Sequence, residues 1–176
     1  MSSDTLTPFS YLVLALVGRN GATAHELVGM QRKGEAYFDY AESQWYAEPK
    51  RLAHLGLLQG EREPGVTRER TRYRLTHQGR EALVRWLPEA PRAPHVSSEA
   101  IIKVLAADLG SDEDVLVALG AMRPDLERMR AAADQGLADA ASIPHRERYL
   151  LLNHRLARRV LEAHLQWVDE VEAELG

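Results

Sequence analysis

The order of helix and turn signals in the first half of the chain restricts its fold more than any other feature of the sequence. Thr7-Pro8 starts a helix, because threonine can cap it and proline fits the first helical position. Thr23 and Glu26 form a capping box that starts a second helix. A third helix is predicted from Ser43 to Leu55, where Gly56 ends it. A turn-rich segment separates the second helix from the third.

A β-hairpin is predicted directly after the third helix. Pro64-Gly65 supplies the turn, and the chain returns as a strand from Thr67 to Leu75, after which Thr76 caps a fourth helix. Because strand side chains alternate between two faces, the arginines of the return strand share one face, which we expect to be cationic. These arginines are Arg68, Arg70, Arg72 and Arg74. Three helices followed by a hairpin predict a winged helix-turn-helix.

Three prolines divide the chain. Pro88, Pro91 and Pro94 fall within seven residues and cannot lie inside a regular helix. We therefore predict a winged helix-turn-helix domain at 1–87, a linker at 88–96 and an all-helical domain at 97–176. The fold class is mainly α.

The helical domain carries a broad apolar stripe on its last helix, which is predicted to reach Leu175. Pro124, in an earlier helix, should kink or split that helix. The stripe is too wide for one contact, so we expect it to pack on its own domain and on a second copy. Burial wholly within one subunit is the alternative. The predicted dimerisation residues are Tyr149, Leu152, Leu156, Val160, Ala163, Trp167 and Val171.

Composition excludes several classes of protein. The 176 residues include no cysteine, which rules out disulfides and thiolate metal sites and suits a cytoplasmic protein. No apolar run is long enough to span a membrane. The seven histidines show no metal-ligand spacing, and no phosphate-binding or nucleophile motif occurs. We therefore expect neither an enzyme nor a bound cofactor or metal.

Charge points to nucleic acid despite a net charge of -4. Residues 50 to 85 contain nine basic and four acidic side chains, which suits a surface that faces phosphates. The third helix can enter the major groove, where glutamine reads adenine and lysine or arginine reads guanine. One of the two aromatic residues of this helix is as well suited to the core as to DNA. The predicted DNA-binding residues are Ser43, Gln44, Trp45, Tyr46, Lys50, Arg51, Arg68, Arg70 and Arg72.

Several strings, in their order and spacing, resemble the PadR family of transcription regulators. In the first half these are Ser43-Gln44-Trp45-Tyr46, Lys50-Arg51-Leu52, Gly56-Leu57-Leu58 and the run from Tyr73 to Glu81. The second half is similar to the Vir-like helical domain of longer members, in Ser98-Glu99, the run from Lys103 to Leu109 and the helix containing Trp167. The resemblance implies a homodimer, usually a repressor, whose third helix and wing contact a palindromic operator on double-stranded DNA.

The sequence departs from the family pattern at Pro49. Members usually place proline directly after the tyrosine that corresponds to Tyr46, whereas here Ala47 follows and the proline comes later. A proline inside a helix removes one hydrogen bond, so the third helix either starts later than Ser43 or kinks.

Two other functions remain open. The chain could be a protein-interaction module that uses the winged fold without binding DNA, although the arginine-rich hairpin weighs against this. A dimer that binds DNA could also sense a small-molecule effector in a cavity near Trp86 and Trp167, since some PadR regulators do so. Aromatic residues are more often core than ligand contacts, so no effector site is assigned.

Overall fold

A computed structural model describes residues 5–34, 37–38, 40–64, 69–94 and 96–176. These residues are mainly helical and include a small antiparallel sheet, which confirms the predicted fold class. The chain divides into two compact units. One unit comprises Met1–Arg32 and Asp39–Arg92, and the other comprises Lys33–Phe38 and Ala93–Gly176.

The first unit is a three-helix cluster with a hairpin and a fourth helix. Its elements are α1 (Pro8–Val17), β1 (Ala22–Thr23), α2 (Ala24–Arg32), α3 (Glu42–His54), β2 (Leu58–Glu63), β3 (Arg70–Leu75) and α4 (His77–Trp86). The sheet order is β1-β3-β2, and both pairings are antiparallel. The short strand β1 was not predicted, because two residues carry no periodicity.

Side-chain caps start three helices of the first unit at the predicted residues. The hydroxyl of Thr7 accepts a hydrogen bond from the backbone N–H of Ser10, and Thr76 accepts one from Gly79. Thr23 accepts from the N–H of Glu26, whose carboxylate accepts from the N–H of Thr23 in return. Each cap satisfies a backbone donor that has no partner within the helix.

The predicted start of the third helix was wrong. The helix begins at Glu42, with Ala41 as its cap residue, so Ser43 lies inside the first turn. The side-chain oxygen of Gln44 accepts the N–H of Ala41 at 3.2 Å, which is the part that a glutamine plays in a capping box.

Neither internal proline ends its helix. Pro49 lies within α3. Of the two expectations for this helix, a start later than Ser43 is therefore wrong. Pro124 lies within α6, which runs unbroken from Asp112 to Asp139, so the expected split does not occur. A proline inside a helix removes one backbone hydrogen bond, and both helices continue through that loss.

The core of the first unit forms where α1 and α3 meet the hairpin. Trp45 and Leu52 from α3 are completely buried beside Val13 and Leu14 from α1. Residue Tyr73 of β3 closes the core on the hairpin side. Burial of side chains of this size contributes about 1.5–3 kcal/mol each.

The second unit is built on two long helices. Its elements are α5 (Glu99–Leu105), α6 (Asp112–Asp139) and α7 (Glu147–Leu175), with short 3-10 turns at Ala107–Leu109 and Ala140–Ser142. Arg123 bonds Asp169 at the far end of α7, and the ring of His154 lies over Gly136 near the connection. These two contacts show that α6 and α7 run antiparallel to each other. Of the helices in the described residues, none is long and apolar enough to cross a membrane.

Gly79 provides a test of the packing between α4 and the hairpin. A Cβ atom at Gly79 would lie 2.1 Å from the carbonyl oxygen of Leu57, whereas one at Gly29 in α2 would meet nothing within 4 Å. Alanine favours a helix over glycine by about 1 kcal/mol. We expect Gly79→Ala to lower the free energy of unfolding by about 2 kcal/mol and Gly29→Ala to raise it slightly, in urea titrations followed by circular dichroism. A stabilised Gly79→Ala protein would contradict this packing.

Candidate nucleic-acid interface

Helix α3 presents a polar face because its apolar residues are fixed inward. Trp45, Pro49 and Leu52 are buried at steps of four and three residues, which is one side of a helix. The opposite side is exposed to solvent. Its members at helical spacing are Ser43, Tyr46, Ala47, Lys50 and His54. This outer face is the surface that a groove of DNA could receive.

Trp45 cannot contact DNA, and its place in the predicted DNA-binding set was wrong. The side chain is completely buried, and its ring meets that of Phe9 edge-on with the centroids 4.9 Å apart. The ring of Tyr40 lies on another side of it. The neighbouring Tyr46 is 38% exposed. The expectation that one of the two aromatic residues belongs to the core is therefore confirmed for Trp45.

Two residues of the outer face were missed by the sequence analysis. Ala47 and His54 lie on the same side of α3 as Ser43 and Lys50. Counting the helical period from a buried Trp45 would have found both. A prediction of DNA contacts from side-chain chemistry alone does not include alanine.

Gln44 and Arg51 lie to one side of this outer face. The guanidinium of Arg51 donates to both carboxylate oxygens of Glu48, at 2.9 and 2.7 Å, and to the hydroxyl of Ser10 at 3.0 Å. Burial alone would raise the pKa of Glu48, but hydrogen bonds to its carboxylate from Arg51 and from the hydroxyl of Ser10 lower it. Arg51 therefore ties α3 to α1, whereas Lys50 is exposed and has no ion-pair partner among the described residues.

The hairpin carries a ladder of opposite charges instead of the expected cationic face. Arg74 hydrogen-bonds Glu61 at 3.0 Å, and Glu63 forms ion pairs with Arg72 at 2.9 Å and with Arg70 at 2.7 Å. The carboxylates lie on this face because Glu61 pairs with Arg72 and Glu63 with Arg70 in the strand register. Both strands thus contribute to one face with opposite sign. The prediction for Arg68 falls outside the described residues.

Arg72 is the most enclosed arginine of the ladder. Its Nη1 and Nη2 donate to the two carboxylate oxygens of Glu26 in α2, at 3.0 and 2.9 Å. Its Nε donates to Glu63 in β2 at 2.9 Å, and Nη1 also donates to the carbonyl of Gly21 at 3.2 Å. Only 19% of the Arg72 side chain is exposed. One side chain thus connects α2, β2 and the turn before β1.

Gly21 allows the turn before β1 to approach this site. Its φ of 75° lies in the left-handed region, and a Cβ atom would come within 2.7 Å of the carbonyl oxygen of Tyr73. A residue with a side chain would be strained and would collide with the backbone of β3. The approach places the Gly21 carbonyl within reach of Arg72.

The three groups of this network have shifted pKa values. Hydrogen bonding from Arg72 is the main cause that lowers the pKa of the Glu63 carboxyl. Burial alone would raise the pKa of Glu26, but hydrogen bonds from Arg72 and from the backbone of Thr23 lower it. The bonds to Glu63 and Glu26 in turn raise the pKa of Arg72. All three groups are therefore charged at neutral pH.

The other three described arginines of the hairpin, Arg62, Arg70 and Arg74, reach solvent. The side chains of Arg70 and Arg74 are about half exposed, and that of Arg62 is 84% exposed, with Glu69 at 3.7 Å as its ion-pair partner. Exposed pairs of this kind contribute little to stability, so their arginines can exchange a carboxylate for a phosphate. No cluster of possible metal ligands occurs in the part of the chain that the structure describes.

The predicted dimerisation residues divide into two groups. Tyr149, Leu152 and Leu156 are more than half exposed and form an apolar strip on the first half of α7. Val171 is only 8% exposed, because it packs in the core of its own unit, and its assignment to a dimer surface was wrong. Trp167 also packs against that core. Of the others, Val160 is half-buried and Ala163 is exposed.

Further exposed apolar residues in this unit were missed. They belong to α5, the 3-10 turn after it and α6, and are Ile101, Ile102, Leu105, Leu109 and Val117. Their exposed fractions range from 46% to 88%. The helix α5 is too short to show an amphipathic period in the sequence.

The Arg72 network predicts a specific dependence of stability on pH. The pKa values of Glu26 and Glu63 are lower in the folded chain than in the unfolded one. Their contribution to the free energy of unfolding is therefore present above the unfolded pKa, and it is lost as the pH falls through the folded pKa. We expect the difference in unfolding free energy between the wild type and Arg72→Gln to shrink between about pH 5 and about pH 3. Arg74→Gln removes an exposed pair and is the control, since it should change stability little at any pH. A difference that stays constant over this range would contradict the prediction.

Known proteins resemble this chain in structure but not in sequence. No family model matches it, and no curated protein matches it either. Bacillus subtilis PadR in complex with operator DNA matches with a TM-score of 0.78 at 17% identity, over 97% of this chain and 100% of that one. The Vibrio cholerae virulence activator AphA matches with a TM-score of 0.69 at 23% identity, over 94% and 96%. Bacillus subtilis PadR in complex with p-coumaric acid matches with a TM-score of 0.66 at 19% identity, over 95% and 98%. The chain therefore has the fold of the PadR-like transcription regulators.

Proposed function

We propose that this protein is a cytoplasmic, sequence-specific DNA-binding transcription regulator that acts as a homodimer and represses its target. The observation that carries the proposal is the outer face of α3, which buried Trp45 directs to solvent beside a hairpin with exposed arginines. The same fold in PadR is seen with operator DNA, which supports this use of the surface.

The proposed mechanism divides the contacts between bases and phosphates. Helix α3 enters the major groove, where Ser43, Tyr46 and Lys50 reach base edges. Arg62 and Arg70 on the hairpin contact phosphates, which fixes the register of the helix on the duplex. Repression follows where an occupied operator overlaps the start of a gene.

Dimerisation is proposed through the second unit. Its exposed apolar residues on α5, the 3-10 turn after it, α6 and the first half of α7 are more than scattered surface residues. Seven of them are large and more than half exposed: Ile102, Leu105, Leu109, Val117, Tyr149, Leu152 and Leu156. A two-fold dimer would bury them and hold two copies of α3 at a fixed spacing on a palindromic site.

A small-molecule effector is a further proposed partner. PadR has been seen with p-coumaric acid, and that structure shares the fold of this chain. The two tryptophans considered above pack in separate units. Trp86 stacks on Tyr11 in the first unit with centroids 4.5 Å apart, and Trp167 packs on the core of the second unit. We therefore assign the effector no contact residues.

Selection of bound duplexes from a random DNA pool tests the function. We expect a palindromic sequence whose two halves are one helical turn or a multiple apart. Affinity for it should fall steeply as salt rises, because phosphate contacts release counterions. Recovery of no preferred duplex by folded, dimeric protein would refute the proposal and favour the protein-interaction alternative.

Lys50→Ala tests the outer face of α3, and Lys103→Ala is its control. Both residues are lysines on helices, but Lys103 lies in α5 and pairs with Glu99 at 3.2 Å. We expect Lys50→Ala to weaken binding to the selected duplex about tenfold or more, the cost of a lost base contact. Lys103→Ala should leave affinity unchanged. Fluorescence anisotropy measures both, and equal losses would remove α3 from the proposed interface.

The double variant Leu152→Glu, Leu156→Glu tests the dimer surface. Two carboxylates would have to be buried in an apolar interface, at a cost of several kcal/mol. We expect the variant to be a folded monomer at micromolar concentration by light scattering, whereas the wild type is a dimer. Val84→Glu, at an exposed apolar position of α4, is the control and should remain dimeric. A monomeric wild type would contradict the proposed assembly.

A further inference from the structure

We propose that Arg72 fixes the position of the hairpin relative to α2 and thereby supports DNA binding without touching DNA. The proposal rests on the proposed function, because it concerns how the hairpin is aimed. It replaces the direct DNA contact predicted from the sequence with a positioning role.

The geometry makes Arg72 a bridge between three elements. It belongs to β3, and its guanidinium is bidentate to Glu26 on α2 and bonded to Glu63 on the neighbouring strand β2. The bond to the Gly21 carbonyl adds the turn that leads into β1. A two-stranded hairpin by itself is only marginally stable, so its direction depends on contacts with the rest of the unit.

The donors of Arg72 are almost fully used. A guanidinium has five N–H groups, and the four hydrogen bonds to Glu26, Glu63 and Gly21 leave at most one for a phosphate. Two carboxylates also compensate its charge within 3 Å. Arg70 differs, since its side chain is half exposed and Glu63 is its one ion-pair partner among the residues that the structure describes. The phosphate contact therefore belongs to Arg70 and the positioning role to Arg72.

Glu26 holds the α2 end of the bridge from within a helix cap. Its carboxylate also accepts a hydrogen bond from the backbone N–H of Thr23 at 2.8 Å. This bond fixes the side chain independently of Arg72. Glutamine can keep that capping bond but cannot accept both guanidinium nitrogens. Glu26→Gln therefore weakens the bridge and leaves the helix start intact.

The sign of the effect on affinity separates positioning from simple electrostatics. Glu26→Gln removes a negative charge from a surface that faces phosphates, which by charge alone would tighten DNA binding. The bridge predicts the reverse, a loss of affinity for the selected duplex of about fivefold to tenfold. Glu61→Gln and Glu69→Gln make the same change in charge on the hairpin outside the bridge. We expect these two controls to bind the duplex as tightly as the wild type or more tightly.

The salt dependence of binding gives a second readout. Arg72→Gln should weaken binding with the wild-type slope of log affinity against log salt, since no phosphate contact is lost. Arg70→Ala should reduce that slope by about the amount that one phosphate contact contributes. The combination of Glu26→Gln with Arg72→Gln should cost little more than either change alone, because both break the same bridge. Circular dichroism establishes that each variant is folded.

The bridge is overturned if Glu26→Gln binds as tightly as the two control variants, or if Arg72→Gln reduces the salt slope as Arg70→Ala does. Amide hydrogen exchange without DNA keeps this result separate from the proposed function. Exchange in β2 and β3 should speed up in Glu26→Gln but not in Glu61→Gln. A wild type that binds no duplex would refute the proposed function, while unchanged exchange in Glu26→Gln would refute the bridge by itself.

Discussion

The burial of Trp45 decides what α3 can offer to a partner. With this ring enclosed by Phe9 and Tyr40, the rotation of the helix about its axis is set, and so is the identity of every outward residue. Pro49 and Leu52 continue the buried side. The proline adds apolar surface to this buried side. In the proposed function, a helix held by so large a side chain would read DNA as a rigid element, which favours specificity over adaptable contact.

The hairpin shows why counting charges in a sequence overestimates a cationic surface. Five more basic than acidic residues lie between positions 50 and 85, yet the glutamates of β2 compensate most of the arginines of β3. What remains for phosphates in the proposed interface is a set of exchangeable exposed pairs and Lys50, which has no ion-pair partner in the part of the chain that the structure describes. Charge therefore serves two purposes here. In the two proposals made above, the enclosed pairs around Arg72 order the hairpin, and the exposed ones give it affinity for a polyanion.

Local signals predicted most of the fold, and interactions between distant elements account for what they missed. The caps at Thr7, Thr23 and Thr76 depend on residues three apart, so the sequence contains all the information. The bond between Arg72 and Glu26 joins residues 46 positions apart and depends on how α2 meets the sheet, which no local pattern encodes. In the candidate site, Lys50 and Tyr46 were found by chemistry. The burial of Trp45 and the place of His54 on the outer face required the orientation of the helix.

The second unit applies the same reasoning to α7. In the proposed dimer its apolar stripe is wide because it serves two surfaces, and the division runs both around and along the helix. Toward the C-terminus, Val168 and Val171 are buried in the core that α7 shares with α6, while Leu152 and Leu156 in the first half are exposed. The first half of α7 still packs on α6, since the ring of His154 lies over Gly136 and Ala157 is buried in the shared core. Leu152 and Leu156 are exposed in the same half and are available to a second copy in the proposed dimer. The exposed apolar residues of α5 and α6 do not belong to such a stripe, so the sequence pattern does not predict them. An assembly built from both sets would depend on the short α5 as much as on the long α7, and sequence periodicity reveals only the latter.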